Sequence, residues 1–401
     1  MARVWLAAIW ICLSFATPRA ENLKVKLGVL TDMSGIYAGW SGRGSVIAAE
    51  LAAEDFRKAH PGSQIAIEIT SGDHQNKADI ASSLARRWVT GDGVTAILDV
   101  VNSAAALAVN AIVRDSKAAV LFSGPAHDGL TGAECSPNTV QWTFDTWSLA
   151  NGTARTIIEF GGRTWYFVTA DFAGGFALEK AVADVVKAQG GTIVGRTSPP
   201  LGTPDYASFL LQAQQSKAVV VGLSMGGTDF ANALKQAGEF GLVAAGQRMA
   251  GLVVTIADID GLGLRAANGL VFTEAYYWDL NDGTRDFARR FADRAGGAKP
   301  TQIQAGVYAA ALHYLKAVDV SGSTDGRTAV AAMKRLPTDD VAFGRGAVRA
   351  DGRGIHPMYV FEAKAPAEST ERWDYYKLLR TIPAEEAFRP VDPTACKLPV
   401  P

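Results

Sequence analysis

Val219-Val220-Val221-Gly222-Leu223-Ser224-Met225-Gly226-Gly227 is an apolar β-branched run that ends in GxSxG. In that pattern a strand delivers a serine onto a tight turn before a helix, and a histidine further along the chain can take its proton. His313 and His356 lie downstream with aspartates between them, so the chain order of an α/β serine hydrolase is available. Against catalysis, no HGGG-type segment precedes Ser224 to hold an oxyanion, and His313 falls inside the helical run 309–318. GxSxG also arises easily in glycine-rich loops, where the same Ser224 hydroxyl would hydrogen-bond a bound molecule instead. Binding is the preferred reading and a secreted serine hydrolase the alternative.

Other chemistry is less legible. The five histidines, His60, His74, His127, His313 and His356, show neither HxH nor HExxH spacing, so no metal site is expected. Glycines 39, 42 and 44 do not fit GxGxxG, and there is no GxxxxGK[ST] to cradle a nucleotide; no cofactor is expected. Asp351-Gly352-Arg353-Gly354 reads as a turn, not a calcium loop. The 39 basic and 40 acidic side chains give a net charge of −1, which offers no grip on nucleic acid.

The first twenty residues differ from the rest. Met1-Ala2-Arg3 precedes the uncharged run Val4 to Phe15 and the small-residue region up to Ala20, the layout of a secretory signal peptide. Cleavage after Ala16 or after Ala20 fits, and the second leaves 37 basic against 40 acidic side chains, a charge of −3. Cys12 invites a lipid anchor, but Ile9-Trp10-Ile11 lacks the small residues expected ahead of a lipidated cysteine. Export would leave Cys135 and Cys396 in an oxidising compartment, where they are a candidate disulfide; two buried free thiols are the alternative.

The elements that must position these residues alternate. Strands are expected near 25–31, 64–70, 95–100 and 118–123, with helices near 45–59, 77–90 and 103–115 between them. After a turn-rich stretch at 124–138 the alternation resumes: helix 149–160, strand 164–169, helix 176–189, strand 192–194, helix 206–214, strand 218–222, helix 229–239 and strand 250–255. A strand at 270–273 and helices at 284–294 and 304–318 follow, and a strand at 358–362. Runs such as Ala118-Ala119-Val120-Leu121-Phe122 indicate burial on both faces, as parallel sheets flanked by helices require. Two α/β units without a long linker suggest lobes that close on a ligand. Parallel sheets bind ligands beyond the C-terminal ends of their strands, which singles out the loops 32–44, 101–103, 123–126, 170–175 and 223–228. Asn102 and Ser103 can each cap the helix that follows or face a ligand anion.

These loops carry a resemblance over nearly the whole mature chain. Leu27-Gly28-Val29-Leu30-Thr31-Asp32-Met33-Ser34-Gly35, Val101-Asn102-Ser103, Leu121-Phe122-Ser123-Gly124-Pro125, Thr169-Ala170-Asp171-Phe172 and Leu234-Lys235-Gln236-Ala237-Gly238 resemble the periplasmic solute-binding proteins of branched-chain amino acid and amide ABC importers. The resemblance implies two Rossmann-like lobes with parallel-sheet cores, joined by three hinge crossings near Asp145, Ala275 and Gly354. It places the signal peptide at 1–20, one lobe at 24–144 plus 276–353, the other at 145–275 plus 354–385, and a tail at 386–401. It implies a monomer in the periplasm whose partners are a small-molecule ligand, an ABC permease and its ATPase; a sensor for a signalling system is a neighbouring possibility.

For the site, the resemblance implies a carboxylate held at Asn102 and by backbone at Gly124 and Ala126, with Trp40 nearby and Ser103 and Ser123 in the same loops. The acidic residue that holds an amino acid's ammonium falls at Leu252, and the tyrosine of the second lobe falls near Gly174, with Phe172 close by. Both departures disfavour an amino acid, because a desolvated ammonium needs an opposite charge or several acceptors. Asp171 or Glu274 could supply that charge. An apolar or aromatic carboxylic acid is therefore the expected ligand, with an amino acid or amide as the alternative and Ser224 as a further contact.

Overall fold

The computed structural model describes residues 23–392 and 394–398; the signal peptide, its cleavage point and Cys12 lie outside them. The first sheet takes β1 (Lys24–Thr31), β2 (Ala66–Asp73), β3 (Ala96–Asp99), β4 (Ala119–Phe122) and β5 (Thr139–Gln141). They run in the order β2-β1-β3-β4-β5, every pair parallel. β3 and β4 are apolar along their length apart from Asp99 and fully buried, because helices cover both faces: α1 (Gly42–Ala59), α2 (Ala78–Thr90) and α3 (Ser103–Val113).

After α4 (Thr146–Glu159) the second sheet begins, with β6 (Thr164–Thr169), α5 (Ala173–Ala188), β7 (Thr192–Thr197), α6 (Ala207–Gln215), β8 (Val220–Ser224), α7 (Gly227–Glu239), β9 (Arg248–Gly251), α8 (Ile256–Leu262), α9 (Leu264–Ala267) and β10 (Val271–Glu274). The chain then returns to the first lobe with α10 (Asp282–Ala292), α11 (Gln302–Ser321), α12 (Gly326–Arg335) and a small antiparallel sheet of β11 (Thr338–Asp340), β12 (Gly344–Val348) and β13 (Gly354–Ile355). It finishes in the second with β14 (Met358–Ala363), β15 (Tyr376–Ile382) and the short α13 (Ala384–Ala387). The second sheet is ordered β15-β14-β10-β9-β8-β6-β7, with β14 and β15 antiparallel to their neighbours.

The sequence reading missed β5, α8, α9, α12, β11 to β13, β15 and α13, and it ended β9 too late, since Leu252 to Val254 leave the sheet as a loop. β15 is an edge strand with a largely exposed middle, so it lacks the apolar run that marks the central strands.

Three stretches, 142–145, 275–281 and 356–357, carry the chain between the two sheets. Arg353 pins the first of them. It is fully buried, and its guanidinium donates to the carbonyls of Phe144 at 2.9 Å and Gly354 at 3.0 Å, and to that of Trp142, while it stacks 4.4 Å from the Phe388 ring centroid. Such a cation is tolerated only because carbonyl oxygens replace its water. Cys135 and Cys396 form a disulfide, Cα–Cα 5.7 Å, which ties the C-terminal segment to the first lobe.

Candidate functional site

Each sheet reverses its strand order once, between β1 and β3 in the first lobe and between β6 and β8 in the second. Loops diverge there and leave a crevice. The two crevices face each other, and between them lies a cavity of about 60 Å³ walled by both lobes. Tyr37, Trp40, Val101, Asn102, Ser103, Gly124, Ala126 and His127 come from the first lobe; Phe172, Ser224, Met225, Gly226 and Val253 come from the second.

Trp40 is the main apolar wall. Its ring packs on Tyr37, centroids 4.9 Å apart, and its carbonyl accepts from the Thr301 hydroxyl at 2.6 Å. Across the cleft it lies against Gly226, where a Cβ would come within 2.1 Å of the indole; only a glycine permits that approach. The backbone reaches the cavity by an unusual turn, since Asp99 and Val100 at the end of β3 both have positive φ, 78° and 57°. Phe172 lines the cavity from the second lobe, at the N-cap position of α5.

Four helices begin at the cavity: α3 at Ser103, α4 at Thr146, α5 beside Gly174 and Gly175, and α7 after Gly226. The first N–H groups of α4 are already taken, by the Ala126 carbonyl and the Asp128 and Asp145 carboxylates, so it is the N-termini of α3, α5 and α7 that favour negative charge there. Asn102 takes part as scaffold. Its Oδ1 accepts from the Ala105 N–H at 2.9 Å, as the N-cap of α3, and its amide donates to Asn76 Oδ1 at 2.6 Å.

His127 is a lining residue that sequence reasoning overlooked. Its Nδ1 accepts from the Gly129 N–H at 3.0 Å, which places the ring proton on Nε2 and makes that edge a donor. The only hint in the sequence was position, one residue beyond the loop 123–126.

Seven of the expected ligand residues, Trp40, Asn102, Ser103, Gly124, Ala126, Phe172 and Ser224, line the cavity together. Four do not. Ser123 is buried behind it, with no partner for its hydroxyl among the described residues. Asp171 is exposed, where its N–H extends a bridge to Pro199. Leu252 is turned into the core, 1% exposed, so the neighbouring Val253 takes the place at the wall. Glu274 is sealed in the second lobe under Tyr376, whose hydroxyl donates to it at 2.5 Å; burial holds its carboxyl well above the ordinary range. Neither Asp171 nor Glu274 reaches the cavity to meet an ammonium.

The hydrolase reading also meets its geometry here. Ser224 does end β8 at a turn before a helix, yet its hydroxyl donates to the Gly175 carbonyl at 2.7 Å. His313 Nε2 hydrogen-bonds the Met333 carbonyl at 2.9 Å, and His356 Nε2 that of Trp142 at 3.0 Å. Burial lowers both imidazoles to about 4. The two histidines are structural groups of the first lobe and of a crossing, and no triad forms.

Residues 24–369 match the family model of periplasmic binding proteins. The chain belongs to the periplasmic binding protein family. Among solved structures, this periplasmic binding protein is similar to one from Burkholderia mallei, 43% identical with a TM-score of 0.87, over 91% of this chain and 96% of that one. It is also similar to a branched-chain amino acid ABC transporter periplasmic ligand-binding protein from Burkholderia xenovorans LB400, 39% identical with a TM-score of 0.83, over 91% and 97%. A solute-binding protein from Rhodopseudomonas palustris, in complex with 4-hydroxybenzoate, shares the fold at 20% identity and a TM-score of 0.81, over 91% and 98%. A comparison with curated proteins finds no match. This periplasmic binding protein is thus a solute-binding component of ABC transport and not an enzyme.

Proposed function

We propose that the chain is an exported receptor that closes its two lobes on a small carboxylic acid with an apolar or aromatic body and delivers it to a membrane permease driven by an ATPase. One observation carries the choice of ligand: among the described residues that line the cavity, none is Asp or Glu, while the N-termini of α3, α5 and α7 converge on it. A carboxylate would find N–H donors and the His127 Nε2–H there. An ammonium would find no carboxylate there, and desolvating it without an opposite charge costs several kcal/mol. The body of the ligand would lie between Trp40 and Phe172, where burial contributes about 25 cal/mol for each Å² of apolar surface removed from water. That the fold can hold such an acid is illustrated by the Rhodopseudomonas palustris protein with 4-hydroxybenzoate.

A branched-chain amino acid is the second reading, and the name of the Burkholderia xenovorans relative favours it. Thermal-shift screening separates the two, because a ligand that binds only the folded state raises the melting temperature. One panel holds aliphatic and aromatic acids, the other amino acids and amides. A rise confined to acids without an ammonium supports the proposal, and a rise confined to amino acids sinks it. Ser224→Ala should keep binding, since the hydroxyl donates to the Gly175 carbonyl within its own lobe.

A further inference from the structure

We propose that Asp258 is the latch of the cleft, a positioning residue that makes closure depend on Trp40 being in place. Trp40 belongs to the loop between β1 and α1 in the first lobe; Asp258 belongs to α8 in the second. The indole N–H donates to both carboxylate oxygens, at 2.7 Å to Oδ1 and 2.8 Å to Oδ2. Both side chains are buried.

The two oxygens are not equally provided for. Oδ2 also accepts the Thr255 N–H at 2.7 Å and the Thr255 hydroxyl at 3.1 Å, bonds made inside its own lobe. Oδ1 has the indole alone among the described residues. Closing the lobes with Trp40 out of position would leave a carboxylate oxygen buried without a donor, which is costly. With the indole in position, that oxygen exchanges water for the indole's hydrogen bond.

Trp40 is also a cavity wall, held from behind by Thr301 and Tyr37. A ligand that packs on the ring favours the orientation in which its N–H meets Asp258. Occupancy of the cavity and engagement of the second lobe are then one event, as population shift toward a closed state requires. This inference concerns closure and holds for either ligand class.

The test compares Asp258→Ala with Thr255→Ala. Asp258→Ala removes the indole's acceptor together with the acceptor of the Thr255 N–H and hydroxyl, whereas Thr255→Ala removes only the hydroxyl bond and leaves the indole's acceptor in place. Benzoate is the probe, or leucine if benzoate fails to raise the melting temperature; that failure would count against the ligand assignment and leave the latch open to the same test. Dissociation is followed by stopped flow, and the Trp40 indole signal, identified by its loss in Trp40→Phe, is followed in ¹H–¹⁵N spectra of the liganded protein. Asp258→Ala should speed dissociation about ten- to hundredfold and shift the indole signal, with faster hydrogen exchange at that site. Thr255→Ala should leave the indole signal in place and change dissociation far less. Equal acceleration in the two variants, or an indole signal indifferent to Asp258→Ala, would overturn the proposal. If Asp258→Ala does not fold, Asp258→Asn is judged by the same two readouts, its neutral oxygen being the weaker acceptor.

Discussion

Gly226→Ala tests closure with a single methyl group. The Gly226 backbone is extended, φ −144° and ψ 175°, a conformation open to any residue, so alanine strains nothing within its own lobe. Across the cleft its Cβ would stand 2.1 Å from Cη2 and 2.6 Å from Cζ2 of Trp40. Ordinary contact begins at 3.4 Å, a shortfall of about 1.3 Å. The indole cannot swing aside cheaply, since it packs at a tilt on Tyr37 and Trp40 is bonded at both its indole N–H and its backbone carbonyl. The lobes must therefore part. A shift of that size along the contact stretches the 2.7 Å bond to Asp258 to about 4.0 Å, beyond hydrogen-bond reach. Leaving that buried Asp258 oxygen without its donor costs about 1–3 kcal/mol, which corresponds to roughly 5- to 150-fold weaker binding. Isothermal titration with benzoate reads the affinity, and thermal unfolding of the ligand-free variant reads the integrity of the lobes. An affinity equal to wild type, with melting also unchanged, would refute the reasoning, because it would mean that the closed cleft tolerates the methyl group.

Further outcomes follow from the same geometry. His127→Phe keeps the ring and removes the Nε2–H, so benzoate binding should weaken by about 1–2 kcal/mol while binding of the uncharged benzamide changes little; equal losses for both would count against His127 as a carboxylate donor. Val253→Glu places a carboxylate at the wall that Leu252 does not reach, and the preference for benzoate over leucine should fall or reverse in competition titrations. Burial pushes the Asp99 carboxyl up to about 7, against about 3.9 in an unfolded chain. The native state therefore holds a proton that the unfolded chain has lost. This contribution to stability is fully present below about pH 4 and fades as pH rises through about 7. The unfolding free energy of wild type minus that of Asp99→Asn should thus decrease across that window, by up to ~1.4 kcal/mol per pH unit; a difference independent of pH in urea titrations would contradict it. Reducing the Cys135–Cys396 disulfide, or replacing both cysteines by serine, should cost about 2–5 kcal/mol of stability, read as a lower urea midpoint.

Much of the fold was legible because parallel α/β units write themselves locally. Short apolar runs such as Ala119 to Phe122, bounded by turns, fit strands covered on both faces, and the stripes of the intervening helices have the 3.6-residue period. The loops at the strand ends were equally legible, which is why seven expected residues meet in one cavity. Elements without a strong pattern were not: β15 lies at an edge and α8 spans two turns.

What the sequence by itself determined was the class of molecule, two lobes of β-α units in a fixed order, and which loops face the cleft. The tertiary structure alone decided which side chains those loops present. A shift of one residue turns a side chain from wall to core, as at Leu252 and Val253, and nothing in a β-branched Val100 announces a positive φ. Contacts between groups far apart in the chain were equally invisible. Trp40 and Asp258 are separated by 218 positions, and their meeting depends on how two lobes close. Local pattern records which face of an element is buried; it does not record what that face is buried against.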